Sequence, residues 1–426
     1  MLKVMVMTIP EAFTLGKARH QAGRLEEAQA IFRQILAVAP QHADSLHMLG
    51  VISQQAGHSS DSVRLVRRAV ELAPSKPEFH STLSVVLLAQ ANKDFESDRL
   101  EAALAAYNEL AGMNLPIALE AMWRRSFILC RFGRFSEAIH DLRRVEAAGA
   151  HVPAVHEMLG RALLGAGSKE EGIAYLWRAI ELQPSRHWIH SILSDALLPG
   201  DGYRQWLRRF HEWLRPPVYL EIGLDTSLEL ALPPTRAIGI DPQPKGPETY
   251  EADTQIFVMT SDEFFATKRL VDVVGCEHID LAFIDGLHHY DQVLRDFIHV
   301  EERSHSGTVV LIHDCLPLDD ITSGRELKTP FWTGDCWKII PILKSARPDL
   351  AISTIATAPS GLTVVTRLDA ASSILSERFE ELVRAQKDTT WTSIEDREAV
   401  LSVVANDWEA VRARVAATIE KSICSR

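Results

Sequence analysis

The N-terminal half of the chain follows a helical pattern of apolar positions with a 34-residue period. Leu15-Gly16 returns as Leu49-Gly50, Gly23 as Gly57 and Pro40 as Pro74. Leu159-Gly160, Gly167 and Pro184 restate the template, and Gly133 with Ala138 lies in register with Gly167 and Gly172. The copy from about Lys76 to Pro116 carries about eight extra residues, and the polar run NKDFESD within Ala91–Arg99 is expected to interrupt its helix. Small residues at Gly16, Gly50 and Gly160 would let the two helices of a pair approach closely. Gly23, Gly57, Gly133 and Gly167 fall where one helix must end and the chain must turn. Pro40, Pro74 and Pro184 close the second helix. The pattern predicts about five helix pairs over residues 10–185 and a closing helix over Arg186–Leu198. Together they form a stacked all-α solenoid over residues 10–198 with a concave groove.

The pattern changes after Leu198. The turn cluster PGDG (Pro199–Gly202) precedes a helix whose apolar residues Tyr203, Trp206, Leu207, Phe210, Trp213 and Leu214 fall three and four apart. Pro216-Pro217 ends it, and residues 199–217 read as a linker helix between two domains. Short, nearly continuous apolar runs then alternate with helical stretches, as strands of a parallel sheet covered on both faces require. They are Val218–Gly223, Arg236–Asp241, Thr254–Thr260, Ile279–Asp285 and Thr308–Asp314. Asp349–Ile355 and Gly361–Arg367, separated by ATAPS, suggest a terminal hairpin. Residues 218–369 are therefore expected to form a seven-stranded, doubly wound α/β domain of Rossmann-like type. Residues 370–426 read as a tail of two or three amphipathic helices.

Composition narrows the classes. The chain has 426 residues, 46% hydrophobic and 24% charged, which suits two or three globular domains. No apolar run approaches the roughly 18 residues of a membrane span, and the N-terminus does not read as a secretory signal. A net charge of −12 argues against a nucleic-acid binder working through a broad basic face. The five cysteines, Cys130, Cys276, Cys315, Cys336 and Cys424, form no C-x-x-C pair, so a reducing cytoplasm is expected. Two basic clusters, Arg64-Arg67-Arg68 and Arg124-Arg125-Arg131, read first as solvated ion pairs and second as a groove for an acidic peptide.

Ligands of open α/β sheets bind beyond the carboxyl ends of the strands, and five successive predicted strands end in polar or turn-forming residues. The first ends at Glu221-Ile222-Gly223, and the second, eighteen residues on from Gly223, at Asp241. Ser261-Asp262 follows the third, Asp285 ends the fourth, and His313-Asp314 ends the fifth. The fourth and fifth strands would be neighbours about 4.8 Å apart, so Asp285 and Asp314 could both reach one hard cation. His288 lies one turn beyond Asp285, where it could take a proton from a hydroxyl. Farther on, PFWTGDCWK (Pro330–Lys338) offers Asp335, Trp337 and Lys338 to a polyhydroxyl ligand. The other reading of Asp335 is as the cap of the helix beginning WKIIPIL.

Two resemblances follow from these residues. The period, with Leu15-Gly16, Gly23, Ala28-x-x-x-Phe32 and Pro40, resembles the tetratricopeptide repeat, which implies a protein or peptide partner in the groove. The series of strand ends resembles class I S-adenosylmethionine-dependent methyltransferases over about residues 217–368. That resemblance places Glu221 and Gly223 along the methionine part of the cofactor, Asp241 at the ribose, and Ser261 with Asp262 at the adenine. FIDGLHHYDQVLRDF (Phe283–Phe297) and VVLIHDC (Val309–Cys315) look like a branch that includes metal-assisted sugar O-methyltransferases. There Asp285, His313 and Asp314 would hold a divalent cation, Mg or Mn, and His288 would be the general base, with Asp285 its catalytic companion. The sequence departs from the pattern at Ser227, where a second loop glycine is expected, and at His313, which replaces an acidic residue; imidazole suits Zn or Mn better than Mg.

The leading expectation is a cytoplasmic methyltransferase acting on a sugar, glycan or related small acceptor, with the repeats binding a partner or the acceptor. The alternatives are a scaffold whose methyltransferase-like domain is inactive, and a protein methyltransferase whose repeats hold a peptide.

Overall fold

The computed structural model describes residues 7–113, 115–149, 151–225, 227–247 and 249–419. Cys424 lies outside them. The chain divides between Leu182 and Gln183 into two compact units.

Among its described residues the first unit has ten helices in five pairs: α1 (Ile9–Gln21) with α2 (Leu25–Val38), α3 (Ala43–Gln55) with α4 (Ser59–Leu72), α5 (Pro77–Glu96) with α6 (Leu100–Ala111), α7 (Ile117–Arg131) with α8 (Phe135–Ala147), and α9 (Pro153–Gly165) with α10 (Lys169–Leu182). Close approach within pairs needs the small residues: a Cβ on Gly50 would stand 2.4 Å from Val66 Cγ2, and one on Gly160 would stand 2.6 Å from Leu176 Cγ. The turn glycines adopt the left-handed conformation the period predicts, with φ of 74°, 78°, 70° and 84° at Gly23, Gly57, Gly133 and Gly167.

The run NKDFESD (Asn92–Asp98) ends its helix only at its last two residues. α5 continues through to Glu96, because the polar side chains in its last turns are met by partners. Asp94 accepts from Gln90 Nε2 at 2.9 Å and Arg99 Nη2 at 2.6 Å, and Asn92 Oδ1 accepts from the Tyr107 hydroxyl at 2.6 Å. The arginine clusters are paired as well. Arg64 meets Asp61, Arg67 Glu109, Arg68 Glu71, Arg124 Glu120, Arg125 Asp141 and Arg131 Asp98.

The second unit begins with α11 (Trp188–Leu197) and α12 (Tyr203–Leu214). Neither has the place the pattern suggested. The expected closing helix of the solenoid, α11, is hydrogen-bonded within the second unit, His190 Nε2 to Asp319 Oδ2 at 3.1 Å and Ser194 Oγ to the Pro359 carbonyl at 2.5 Å. The expected linker, α12, buries Trp206, Leu207 and Phe210 completely against Tyr219, Phe283, Leu311 and Val364 of the sheet. A free amphipathic helix and one lying on a sheet share one apolar periodicity, so spacing alone does not separate them.

The sheet contains β1 (Val218–Ile222), β2 (Arg236–Ile240), β3 (Asp253–Phe257), β4 (Leu281–Ile284), β5 (Val309–His313), β6 (Ala351–Ile355), β7 (Leu362–Thr366) and β8 (Val403–Val404). Their order is β3-β2-β1-β4-β5-β7-β6-β8. The first five strands are parallel, β7 is antiparallel to both β5 and β6, and β8 is parallel to β6. Among the described residues the sheet thus has eight strands rather than seven, since the tail contributes β8 as well as helices. β3 is an edge strand and is largely exposed, unlike its four parallel neighbours, which explains why a fully buried strand was the wrong expectation there.

Between and after the strands lie α13 (Ser261–Thr267), α14 (Leu270–Val274), α15 (Tyr290–Glu301), α16 (Ile339–Ala346), α17 (Ile374–Glu377), α18 (Phe379–Gln386), α19 (Arg397–Leu401) and α20 (Trp408–Ala416). Alternation along the strands sorts side chains to two faces. Leu220, Ile222, Ile284 and Ile312 pack with Leu294 and Phe297 of α15 and Leu343 of α16. Tyr219, Phe283 and Leu311 pack under α12 and α20. Among the described residues no helix is long and apolar enough to cross a membrane.

Candidate active site

The parallel strands β1, β2, β4 and β5 all deliver their carboxyl ends to one rim. Asp285 follows β4 and His313-Asp314 closes β5, and these two strands are adjacent. Consecutive residues of a strand face opposite ways, so His313 and Asp314 would diverge if β5 simply continued. Instead Asp314 takes a left-handed conformation, φ 58°, which turns its carboxylate back toward its neighbours. Such a conformation costs a non-glycine residue roughly 1–3 kcal/mol and is held only by surrounding contacts. One of these is the Ser360 hydroxyl, which donates to Asp314 Oδ1.

The result is a cluster of two carboxylates and two imidazoles. His313 Nδ1 lies 3.1 Å from Asp285 Oδ1 and 3.6 Å from Asp314 Oδ1. His288 Nε2 lies 3.1 Å from Asp314 Oδ2 and 3.5 Å from Asp285 Oδ1. His288 is fixed from behind, with Nδ1 3.2 Å from the Trp332 carbonyl and its ring stacked on Trp332 at 5.2 Å. Gly334 supports it from below at φ 60°; a Cβ there would fall 1.9 Å from the His288 carbonyl oxygen. Burial opposes charge on His288, but Asp314 and Asp285 outweigh it and push the pKa up to about 9. Burial likewise opposes ionisation of Asp285, and His313 with His288 outweighs it, holding the carboxyl well below its ordinary value. His313 is raised, against its burial, by Asp285 and Asp314. Ligand atoms of Asp285, His313 and Asp314 lie within 4.8 Å of one another, so the three could hold one cation.

A cavity of about 420 Å³ opens beside the ends of β1 and β2, within the range of small-ligand sites. Gly223, Asp241, Ser261 and Asp262 line it, four of the five residues expected at the cofactor. Asp241 accepts from the backbone N–H of Leu224 at 2.8 Å and of Gln243 at 2.6 Å, one on each oxygen, leaving a lone pair on each for a ligand hydroxyl. Ser261 Oγ donates to Asp296 at 2.6 Å, and Gln292 Nε2 donates to Asp262 Oδ1 at 3.1 Å. The chemistry of this wall fits a nucleoside: an acidic pair of acceptors at one end and mixed polar groups at the other.

Glu221 does not reach the cavity. Its carboxylate is fully buried and accepts from the Tyr219 hydroxyl at 2.7 Å and Ser227 Oγ at 2.6 Å. Burial pushes its pKa up to about 8, although the two hydroxyl donors pull the other way. This also accounts for Ser227. Its side chain turns inward to Glu221 and is buried, so it does not crowd the cavity wall as a loop side chain pointing outward would.

Asp335, Trp337 and Lys338 border a second cavity, about 820 Å³, together with Arg325, Asp388 and Trp391. Asp335 caps a helix, but not the one that follows it: Oδ1 accepts from the N–H of Tyr290 at 3.0 Å, at the start of α15. Trp337 is 1% exposed and belongs to the hydrophobic core at the cavity wall. Lys338 Nζ lies 3.9 Å from Asp335 and donates to the Lys387 carbonyl at 3.4 Å. Neither cavity is lined by Asp285, His288, His313 or Asp314.

Three neighbours of the cluster went unsuspected in the sequence: Trp332, Ser360, and Tyr203, whose ring centroid lies 4.1 Å from that of His313. Trp332 lies inside PFWTGDCWK and could have been singled out with its neighbours. Tyr203 and Ser360 carry no local signal, since one opens an amphipathic helix and the other sits in a turn.

Comparison with known proteins agrees with this architecture. Residues 188–315 match a family model described as a methyltransferase domain, and residues 19–86 and 128–187 match two tetratricopeptide-repeat models. The chain joins a tetratricopeptide-repeat array to a methyltransferase domain. The methyltransferase match begins at α11, and so includes both helices that the sequence pattern had placed outside the α/β domain. Among curated proteins, human tetratricopeptide repeat protein 7A is 32% identical over 89 residues, 21% of this chain and 10% of that protein. Similar solved structures include MamA, at 18% identity over 42% of this chain and 93% of that one, TM-score 0.31. YrrB, described as a TPR protein with an unusual peptide-binding site, is 16% identical over 43% of this chain and 89% of that one, TM-score 0.33.

Proposed function

We propose that the α/β domain transfers a methyl group from S-adenosylmethionine to a hydroxyl oxygen of a sugar, glycan or related small acceptor, and that the repeats hold a protein or peptide partner or the acceptor itself. The observation that carries this reading is the buried Asp285–His288–His313–Asp314 cluster at the rim of a parallel sheet, with a nucleoside-sized cavity at the neighbouring strand ends. Gly223, Asp241, Ser261 and Asp262 would bind the cofactor, which supplies an electrophilic methyl group when bound. Glu221 supports that site from behind by anchoring the loop through Ser227.

His288 would accept the proton that the acceptor hydroxyl loses. Its pKa of about 9 keeps it charged at neutral pH while both carboxylates face it. It can act as a base once those carboxylates are otherwise neutralised. Asp285, His313 and Asp314 are the residues that would hold a divalent cation, whose chemistry is to make a bound hydroxyl more acidic. An imidazole among the three favours Mn or Zn over Mg. Asp335 and Lys338, at the wall of the larger cavity, are assigned to the acceptor. Much of the rate would come from alignment of hydroxyl, methyl carbon and sulfur. The unpaired cysteines Cys130, Cys276, Cys315 and Cys336 suit a reducing, cytoplasmic setting.

The test is titration of the full chain with S-adenosylmethionine, with and without Mn, followed by transfer of a labelled methyl group to a panel of sugars. Asp285→Ala and His288→Ala should each lower transfer by ~10²–10⁴-fold, the usual contribution of acid–base catalysis, while cofactor affinity is retained. Undiminished transfer in both variants would remove the assigned roles. Absence of cofactor binding by the folded chain would instead favour the inactive scaffold.

A further inference from the structure

The repeat array contains a second cluster of metal-ligand type, independent of the methyltransferase site. Glu146 lies in the last turn of α8, His156 in the first turn of α9, and His151 between them. One ligand atom from each lies within 4.8 Å of the other two. The two rings stand edge to face, with centroids 6.2 Å apart.

His156 is the informative member. It is 6% exposed, and neither ring nitrogen has a hydrogen-bond partner. Leaving a buried polar atom unmet costs roughly 1–3 kcal/mol, and native structures seldom tolerate it without a reason. The nearest acceptor does not supply that reason. Glu146 Oε1 stands 3.9 Å from His156 Nε2, beyond hydrogen-bonding distance. Two ligands held ~2.0–2.1 Å from a tetrahedral ion stand about 3.3 Å apart, so this spacing needs to close by about 0.6 Å. The other carboxylate oxygen is occupied, since Oε2 accepts from the Tyr175 hydroxyl at 3.1 Å. That contact orients Glu146 as outer-shell partners orient metal ligands, and leaves Oε1 free to coordinate.

The protonation state agrees. Burial lowers the pKa of His156; Glu146 opposes that shift, while Arg178 and His151 add to it. The ring is therefore neutral at pH 7, with a lone pair available. Arg178 is the cation nearest in effect, and its guanidinium is stacked over the Tyr175 ring at 5.1 Å.

We propose that Glu146, His151 and His156 form a binding site for a divalent cation of the zinc class, which clips the end of α8 to the start of α9. Two imidazoles and a carboxylate are a donor set suited to zinc, and three protein ligands leave a fourth position for water or a side chain from a bound partner. His151 is exposed, so that fourth position is reached from solvent.

The experiment is a zinc titration of the full chain against a chromophoric chelator, repeated on Glu146→Gln, His151→Ala, His156→Ala and, as a control, His313→Ala. Besides any equivalent held by the Asp285–His313–Asp314 cluster, the wild type should bind one that His151→Ala and Glu146→Gln each weaken by at least ~10-fold, as loss of a ligand requires. His313→Ala should keep it, because that residue belongs to the other cluster. His156→Ala could fail by unfolding, so the exposed His151 decides the matter, with its zinc-free melting curve matched to wild type. Equal zinc binding by His313→Ala alone and by His313→Ala combined with Glu146→Gln or His151→Ala would overturn the site, as would no binding by His313→Ala.

Discussion

The two units pair their polar groups over different distances along the chain. In the repeat array, partners are near in sequence: Arg134 meets Glu137, Arg125 of α7 meets Asp141 of α8, and the longer Arg67–Glu109 pair joins α4 to α6 across 42 residues. In the methyltransferase domain, partners are far apart. Trp206 donates to Asn406 across 200 residues and Ser194 to the Pro359 carbonyl across 165. Stacked repeats sum local stabilities, so an error stays near its site. A sheet whose order departs from chain order must close long loops before its polar groups find partners, and each pair then depends on the whole arrangement. Both clusters of metal-ligand type follow the same division, one built within a single helix turn region and the other from two adjacent strands and distant loops.

The largest expected effect breaks a long-range pair. Arg347 is 2% exposed at its side chain, and it bonds Glu301 at 2.7 Å, Asp349 at 2.6 Å and Ser372 at 2.9 Å. Arg347→Met strands the buried Glu301 carboxylate and should lower stability by about 3–5 kcal/mol, as loss of one partner of a buried pair does. Urea denaturation followed by the fluorescence of the domain's tryptophans measures it; a loss near zero would show that Glu301 readily finds another partner or water.

A second experiment sharpens the comparison through pH. Glu221 has a folded pKa of about 8, above its ordinary carboxyl value, so the native state holds this proton more tightly than the unfolded state does. Its contribution is therefore full below the unfolded pKa and declines as pH rises through the window from about 4.5 to about 8. His288, also raised, declines over a higher window ending near 9. Glu221→Gln should remove only the first component. The stability of wild type relative to Glu221→Gln should fall by a few kcal/mol across that window and then level off. A pH-independent difference would contradict the assigned burial.

A smaller effect is expected in the repeats. Gly50→Leu drives a side chain into Val66, where a Cβ alone would stand 2.4 Å from Cγ2, and should destabilise by roughly 1–3 kcal/mol. Hydrogen exchange should place the loss in α3, α4 and their neighbours. Protection lost equally across the β-sheet would show that the two units unfold as one.

The repeat period and the buried parallel strands were legible because each rests on local rules, whereas the exposure of the edge strand β3 and the short β8 were not. Glycines at fixed offsets specify turns, continuous apolar runs specify buried parallel strands, and polar residues at their carboxyl ends mark the rim. The polar run at the end of α5 misled because Tyr107, the partner of Asn92, meets it only once α5 and α6 pair. The roles of α11 and α12 were hidden for a related reason: amphipathic spacing gives a face but not what covers it.

By itself, then, the sequence determined what recurs or alternates: an all-α repeat array, a doubly wound α/β domain, and the rim that carries Asp285, His288, His313 and Asp314. Only the tertiary structure decided which way those side chains turn. The left-handed Asp314 brings two consecutive residues to one cluster, Ser227 turns in to Glu221 instead of out to the cavity, and Asp335 caps α15 instead of its own helix. Backbone periodicity is a property of neighbours in the chain, whereas the direction and charge of a buried polar group are set by partners that folding brings from elsewhere.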